Sequence, residues 1–96
     1  MMKQPCVYIT SNLNNTTLYI GVTSNLIQRI YQHKNKQVEG FSSRYNVNKL
    51  VYFEVFDDME NAILREKRLK KWNRSWKNRL ISQLNPEWTD LYPSLL

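Results

Sequence analysis

Two short runs of β-branched and aromatic residues, CVYIT at 6–10 and LYIGVT at 18–23, flank the linker SNLNNTT. Runs of this kind predict strands, and a connection rich in Asn, Ser and Thr suits a hairpin loop. This pairing constrains the chain most, because strand alternation then assigns every side chain to a face. Val7 and Ile9 share one face of the first strand, and Leu18, Ile20 and Val22 share one face of the second. Tyr8 falls on the opposite face of the first strand, and Tyr19, Gly21 and Thr23 on the opposite face of the second. With the aliphatic faces in the core, the two tyrosines look out from the other side. Gly21 inside a strand predicts close approach by another group.

The remaining elements follow from periodicity. The near-continuous apolar run KLVYFEVF at 49–56 predicts a central strand. A helix at about 25–36, with Ser24 as its cap, has the stripe Leu26, Ile27 and Ile30. Arg29 and His33, four residues apart, share one face at the edge of that stripe. A second helix at about 59–72 follows a cap at Asp57 or Asp58 and carries Met59, Ala62, Ile63 and Leu69. A third, at about 75–84 with Ser75 as cap, buries Trp76, Leu80 and Leu84 and ends at Asn85-Pro86. The segment 37–48, with Gly40 and two serines, reads as a loop, and the tail EWTDLYPSLL is apolar enough to pack back. The expectation is an α+β fold, a small antiparallel or mixed three-stranded sheet flanked by about three helices. Its 96 residues, 1–96, form a single domain.

Charge narrows the partner. The chain carries 14 Lys+Arg against 8 Asp+Glu, a formal charge of +6. Residues 65–79, REKRLKKWNRSWKNR, hold 8 of those bases: Arg65, Lys67, Arg68, Lys70, Lys71, Arg74, Lys77 and Arg79. The only acid among them is Glu66, and Trp72 and Trp76 interleave them. Bases mixed with aromatics fit a phosphate-backbone footprint better than a merely solvated face. One cysteine, Cys6, excludes an internal disulfide framework and a multi-cysteine zinc site, and reads as a small buried apolar residue. No apolar run approaches the roughly 18 residues of a membrane helix, so the expectation is a soluble cytoplasmic protein. There is no phosphate-binding glycine loop, dinucleotide fingerprint or nucleophile elbow.

Glu66 is the most informative position. At about 100° per residue it falls in the middle of the second helix's apolar stripe. A carboxylate there needs a partner, either an ion pair with a neighbouring arginine or a metal. Tyr8, Tyr19, Arg29 and His33 each have an ordinary structural reading when taken alone. Together with Glu66 they are the set that phosphodiester cleavage needs. One acid can hold a hard cation, an arginine can stabilise the transition state, and a phenol or imidazole can move a proton.

The same residues carry a resemblance. Tyr8, Tyr19-Ile20-Gly21, Thr23-Ser24-Asn25-Leu26, Arg29 and His33 resemble the N-terminal half of a GIY-YIG nuclease domain. Arg65-Glu66, Leu69-Lys70-Lys71-Trp72, Leu80-Ile81 and Asn85-Pro86-Glu87-Trp88-Thr89-Asp90-Leu91 are similar to the small standalone bacterial members of that superfamily. The likeness runs from about residue 7 to residue 91 and rests on order and spacing. One departure is that the first motif reads Cys6-Val7-Tyr8 in place of Gly-Ile-Tyr.

The resemblance implies a divalent-metal-dependent endonuclease that hydrolyses DNA in repair, recombination or processing. It implies Glu66 as the single ligand of Mg²⁺ or Mn²⁺, and Arg29 on the scissile phosphate. Tyr8 would orient or deprotonate the attacking water, with the metal and local cations lowering its pKa, and Tyr19 and His33 would help in proton transfer or hold the phosphate. Nucleic acid would be held by Gly21, Ser43, Arg44, Arg65, Lys67, Arg68, Lys70, Lys71, Arg74 and Lys77, with Asn85 as polar support. Branched, damaged or single-stranded DNA, and RNA, stay open as substrates, and a protein partner supplying targeting fits so small a catalytic module. The alternative is a non-catalytic basic nucleic-acid-binding module that needs no metal.

Overall fold

The computed structural model describes residues 4–36, 40 and 44–96. The elements run β1 (Cys6–Ser11), β2 (Leu18–Thr23), α1 (Leu26–Lys34), β3 (Lys49–Val55), α2 (Met59–Lys71), α3 (Arg74–Leu84) and α4 (Tyr92–Leu95). The strands form one antiparallel sheet in the order β2-β1-β3. The fold is α+β as expected, with the short α4 added to the three longer helices.

β1 and β2 pair in plain register, with Tyr8 opposite Gly21 and Ile9 opposite Ile20. The linker closes them as a hairpin. The Asn12 side chain accepts hydrogen bonds from the Thr16 and Thr17 amides, and Asn15 takes a positive φ of 59°. Cys6 does not disturb the ladder, since it pairs with Thr23 on one side and Val55 on the other.

The central strand is β1, which corrects the expectation for residues 49–56. β3 lies at the edge, yet its residues are covered on both faces. Its register shifts between Ile9 and Thr10: Ile9 pairs with Tyr52, and Thr10 with Leu50. Val51 is the extra residue of a bulge, so Val51 and Tyr52 join the same core while Leu50 and Phe53 join the other. That re-phasing breaks the alternation a reader of KLVYFEVF looks for.

There are two cores. On one face, Val7, Ile9, Ile20, Val51 and Tyr52 pack against Ala62 and Leu69 of α2 and Ile81 of α3. On the other, Cys6, Tyr8 and Leu50 pack against Leu26 and Ile30 of α1, with Leu91, Tyr92 and Leu95 of the tail over them. Each fully buried aliphatic side chain contributes about 1.5–3 kcal/mol. The tail therefore packs back as its composition predicts. The Leu91 amide donates to the Leu50 carbonyl at 2.8 Å, and Asp90 pairs with Lys34 at 2.5 Å.

The helix starts differ by one or two residues from expectation. Asn25, not Ser24, caps α1 by accepting from the Gln28 amide. Asp58 caps α2 and Asn73, not Ser75, caps α3. Capping needs an acceptor two or three residues before a free amide, and Asn25 and Asn73 stand one turn before those amides. In α3 the buried residue is Ile81, whereas Leu84 is 69% exposed and Trp76 51%. Ile27 also lies at the surface.

Candidate active site

The site begins with a missing side chain. A Cβ on residue 21 would lie 2.4 Å from the Tyr8 hydroxyl oxygen and 2.5 Å from its Cζ. Only glycine lets the Tyr8 ring lie across β2, so the group that approaches Gly21 is Tyr8 itself. Gly21 is buried beneath it and makes room for the tyrosine.

α1 crosses the same face. Its stripe of Leu26, Ile30 and His33 brings the imidazole fully inside, 2% exposed. The Tyr8 hydroxyl and His33 Nε2 are 2.8 Å apart, and Arg29 Nε donates to the Tyr8 oxygen at 3.2 Å. That oxygen accepts from Arg29, and the proton of its bond to His33 sits on Tyr8 or on Nε2 according to the imidazole tautomer. Tyr19 completes the group, its ring centroid 6.2 Å from Tyr8 and 5.2 Å from His33. Arg29 Nη1 reaches Gln32 Oε1 at 3.5 Å, a partner legible only in the i,i+3 spacing. Four residues scattered over 26 positions of sequence thus converge on one hydroxyl.

Electrostatics sets their protonation. Burial, working against the Arg29 charge, pushes the Tyr8 phenol up to about 12. Arg29 alone lowers the value by less than desolvation raises it. Burial and then the Arg29 charge push His33 down to about 4, so the imidazole is neutral near pH 7. Burial opposes the charge of Arg29, but the hydrogen bond and charge of Tyr8, aided by Tyr19, hold its pKa above the ordinary value.

Glu66 sits on α2, partly buried, with a side chain 15% exposed. Its partner is Lys70 at 3.5 Å, at i,i+4, rather than an arginine. Lys70 lines an open hollow of about 240 Å³ with Leu18, Tyr19, Ile20 and Lys77, which sets the Glu66 pair beside the β2 edge that carries Tyr19. Among the described residues no cluster of three or more His, Cys, Asp or Glu could cage a metal. A carboxylate that is largely buried and pairs with an exposed lysine nevertheless fits a hard cation. Mg²⁺ commonly keeps most of its waters and uses one or two carboxylates plus substrate phosphate.

The basic residues divide. Arg65 is engaged inside the protein: its Nε and Nη2 donate to the Glu54 carboxylate at 3.0–3.2 Å, Tyr52 donates to the same carboxylate, and the guanidinium lies 5.2 Å over Trp72. Arg74 donates to the Asn15 and Thr16 carbonyls of the hairpin loop, at 2.5 and 3.1 Å. These two fasten β3 and the hairpin. Lys67, Arg68, Lys70 and Lys71 are exposed. Burial and the nearby Arg74 charge push Lys77 down. Arg44 is exposed, 5.7 Å over the Tyr45 ring, and Ser43 lies outside the described residues. Asn85 is buried and caps α3. Its Nδ2 donates to the Val51 and Thr89 carbonyls, and its Oδ1 accepts from Thr89. It holds the tail rather than the reacting groups.

The chain is similar to known proteins. The family model described as the GIY-YIG catalytic domain matches residues 4–80. A UPF0213 protein of Clostridium perfringens is 40% identical over 76 residues, covering 79% of this chain and 81% of that one. The UvrABC system protein C of Bacteroides thetaiotaomicron is 32% identical over 95 residues, 97% of this chain but only 15% of that larger protein. The solution structure of a UPF0213 protein from Bacillus halodurans superposes with a TM-score of 0.57 at 24% identity, covering 88% of this chain and 89% of that one, and supports the fold. A tyrosine pair over a strand glycine, an arginine and histidine on α1, and a family match over four fifths of the chain agree: the protein belongs to the GIY-YIG family of nuclease domains.

Proposed function

We propose that the chain is a divalent-metal-dependent endonuclease that hydrolyses DNA phosphodiester bonds. The observation that carries this is the buried cluster in which Arg29 Nε donates to the Tyr8 oxygen at 3.2 Å and that oxygen lies 2.8 Å from His33 Nε2. It is a proton path with a cation at one end and a neutral base at the other.

Glu66 would hold Mg²⁺ or Mn²⁺, which supplies charge neutralisation at the phosphate and leaving oxygen. Arg29, anchored through Nε on Tyr8, turns its remaining N–H groups toward a phosphate oxygen and stabilises developing charge. With its pKa at about 12, Tyr8 is a phenol in the resting protein, so it acts by relay rather than as a phenolate. The Tyr8 oxygen takes a proton from the attacking water as its own proton passes to His33 Nε2. The new O–P bond forms while the P–O bond to the leaving oxygen breaks. A resting value of about 4 makes His33 a weak base, and a phosphate anion between it and Arg29 raises its affinity for that proton. Tyr19, beside the same imidazole, helps hold the phosphate.

The test is nicking of supercoiled plasmid and of branched DNA with Mg²⁺, Mn²⁺ or chelator. Cleavage is expected only with metal, and it should be abolished in Glu66→Ala and Arg29→Ala. Full activity of Glu66→Ala would defeat the mechanism. Equal DNA binding with and without metal, and no cleavage of either substrate, would leave a basic binding module instead.

A further inference from the structure

Trp76 takes no part in the Tyr8 site, yet half of it faces solvent at the start of α3. Trp72 stands edge-on to it, 5.8 Å between centroids and 88° between planes. Arg65 backs Trp72 from 5.2 Å, so Trp72 is buttressed and Trp76 is the open ring. The two indoles, with Arg79, Leu80 and Gln83, enclose an open hollow of about 370 Å³. An indole left in water forgoes burial worth a few kcal/mol, and such exposed apolar surface marks a binding site.

The surroundings identify the occupant. The stretch 65–79 holds eight bases and one acid, so the partner is a polyanion. The hollow itself is aromatic, lined by two indoles at right angles together with Arg79 and Gln83, whose side chains carry N–H donors. A polyanion with planar apolar groups is a nucleic-acid strand whose bases are unstacked. Lys77, next to Trp76 in the chain, lines the neighbouring hollow with Tyr19 and Lys70. A strand crossing both hollows runs from Tyr19 to Trp76.

We propose that the Trp72–Trp76 hollow is a base-stacking subsite that receives an unpaired nucleobase beside the cleavage site, with Trp76 as platform and Arg79 and Gln83 bonding the base edge. The proposal rests on the reading of the chain as a nucleic-acid enzyme, and its test separates the two. Binding is measured in chelator to oligothymidylate and to an abasic strand of equal length, which keeps the phosphates and lacks the bases. Wild type should prefer oligothymidylate about tenfold, the scale of one base–aromatic stack. Trp76→Ala should bind both strands equally, Trp76→Phe should recover most of the preference, and plasmid nicking with Mg²⁺ is followed in parallel. No base preference in wild type, or an undiminished one in Trp76→Ala, overturns the subsite even where the plasmid is nicked. A preference lost in Trp76→Ala without any nicking keeps the subsite and removes the nuclease reading. Failure of wild type to bind either strand overturns the subsite outright. If Trp76→Ala instead abolishes self-association while base preference stays, the hollow is a protein interface and the subsite is overturned.

Discussion

A Cβ at position 21 meets Tyr8 before it meets anything else, so a single methyl tests the site. Gly21→Ala should displace the Tyr8 ring, cost about 1–3 kcal/mol of stability as an overpacked core does, and lower cleavage more than that loss explains. Thermal unfolding and plasmid nicking on one preparation check both parts. His33 is the only histidine, so its titration is unambiguous by proton NMR. A midpoint near 4 is expected, and one near 6.5 would refute the buried, Arg29-repelled imidazole. The sign for stability follows. The folded value lies below the unfolded one, so the unfolded chain binds the extra proton between them. Stability from this group is full above about pH 6.5 and is lost as pH falls toward 4, on the order of 3 kcal/mol. His33→Gln should flatten that part of the pH dependence in denaturant unfolding. Gly21 was legible in sequence as a close-approach glycine, but Tyr8 as its neighbour was not, because cross-strand register is set by the folded hairpin.

At the scale of elements, the tail is bound by a few specific bonds. The Asn85 side chain makes four hydrogen bonds, joining the end of α3 to Val51 of β3 and to Thr89. Asn85→Ala would strand the buried Val51 carbonyl, at about 1–3 kcal/mol for that group, and loosen the cover over Tyr8 and Leu50. Amide exchange over residues 86–92 should rise well before that of β1, and equal protection would show that apolar packing holds the tail unaided. The long apolar run of β3 misled because a bulge, not a central position, makes it apolar on both faces. Two packing helices and the tail cover an edge strand as fully as neighbouring strands would. The caps at Asn25 and Asn73 lay beside the expected Ser24 and Ser75, since several polar residues in each turn can accept and only the helix's actual start selects one.

For the whole molecule, the charge of +6 is concentrated on α2 and α3 and leads to the hollow that Tyr19 shares with Lys70 and Lys77. DNA affinity should fall steeply with salt, and Lys70→Gln with Lys77→Gln should reduce the slope of log K against log salt by roughly 2, since each neutralised phosphate contributes about 0.9. An unchanged slope would place the phosphates elsewhere. The sequence by itself determined the strands and the hairpin, the helices, the basic run and the residue types of the site. Those depend on local periodicity and on which side chains can do phosphate chemistry. Only the tertiary structure decided that Tyr8 is buried and not outward, that it is a phenol held between Arg29 and His33, that Arg65 and Arg74 are engaged internally, and that Trp76 is open. Each of these turns on what covers the second face of the sheet and on the local dielectric. Both are properties of contacts between residues far apart in the chain, which no local pattern encodes.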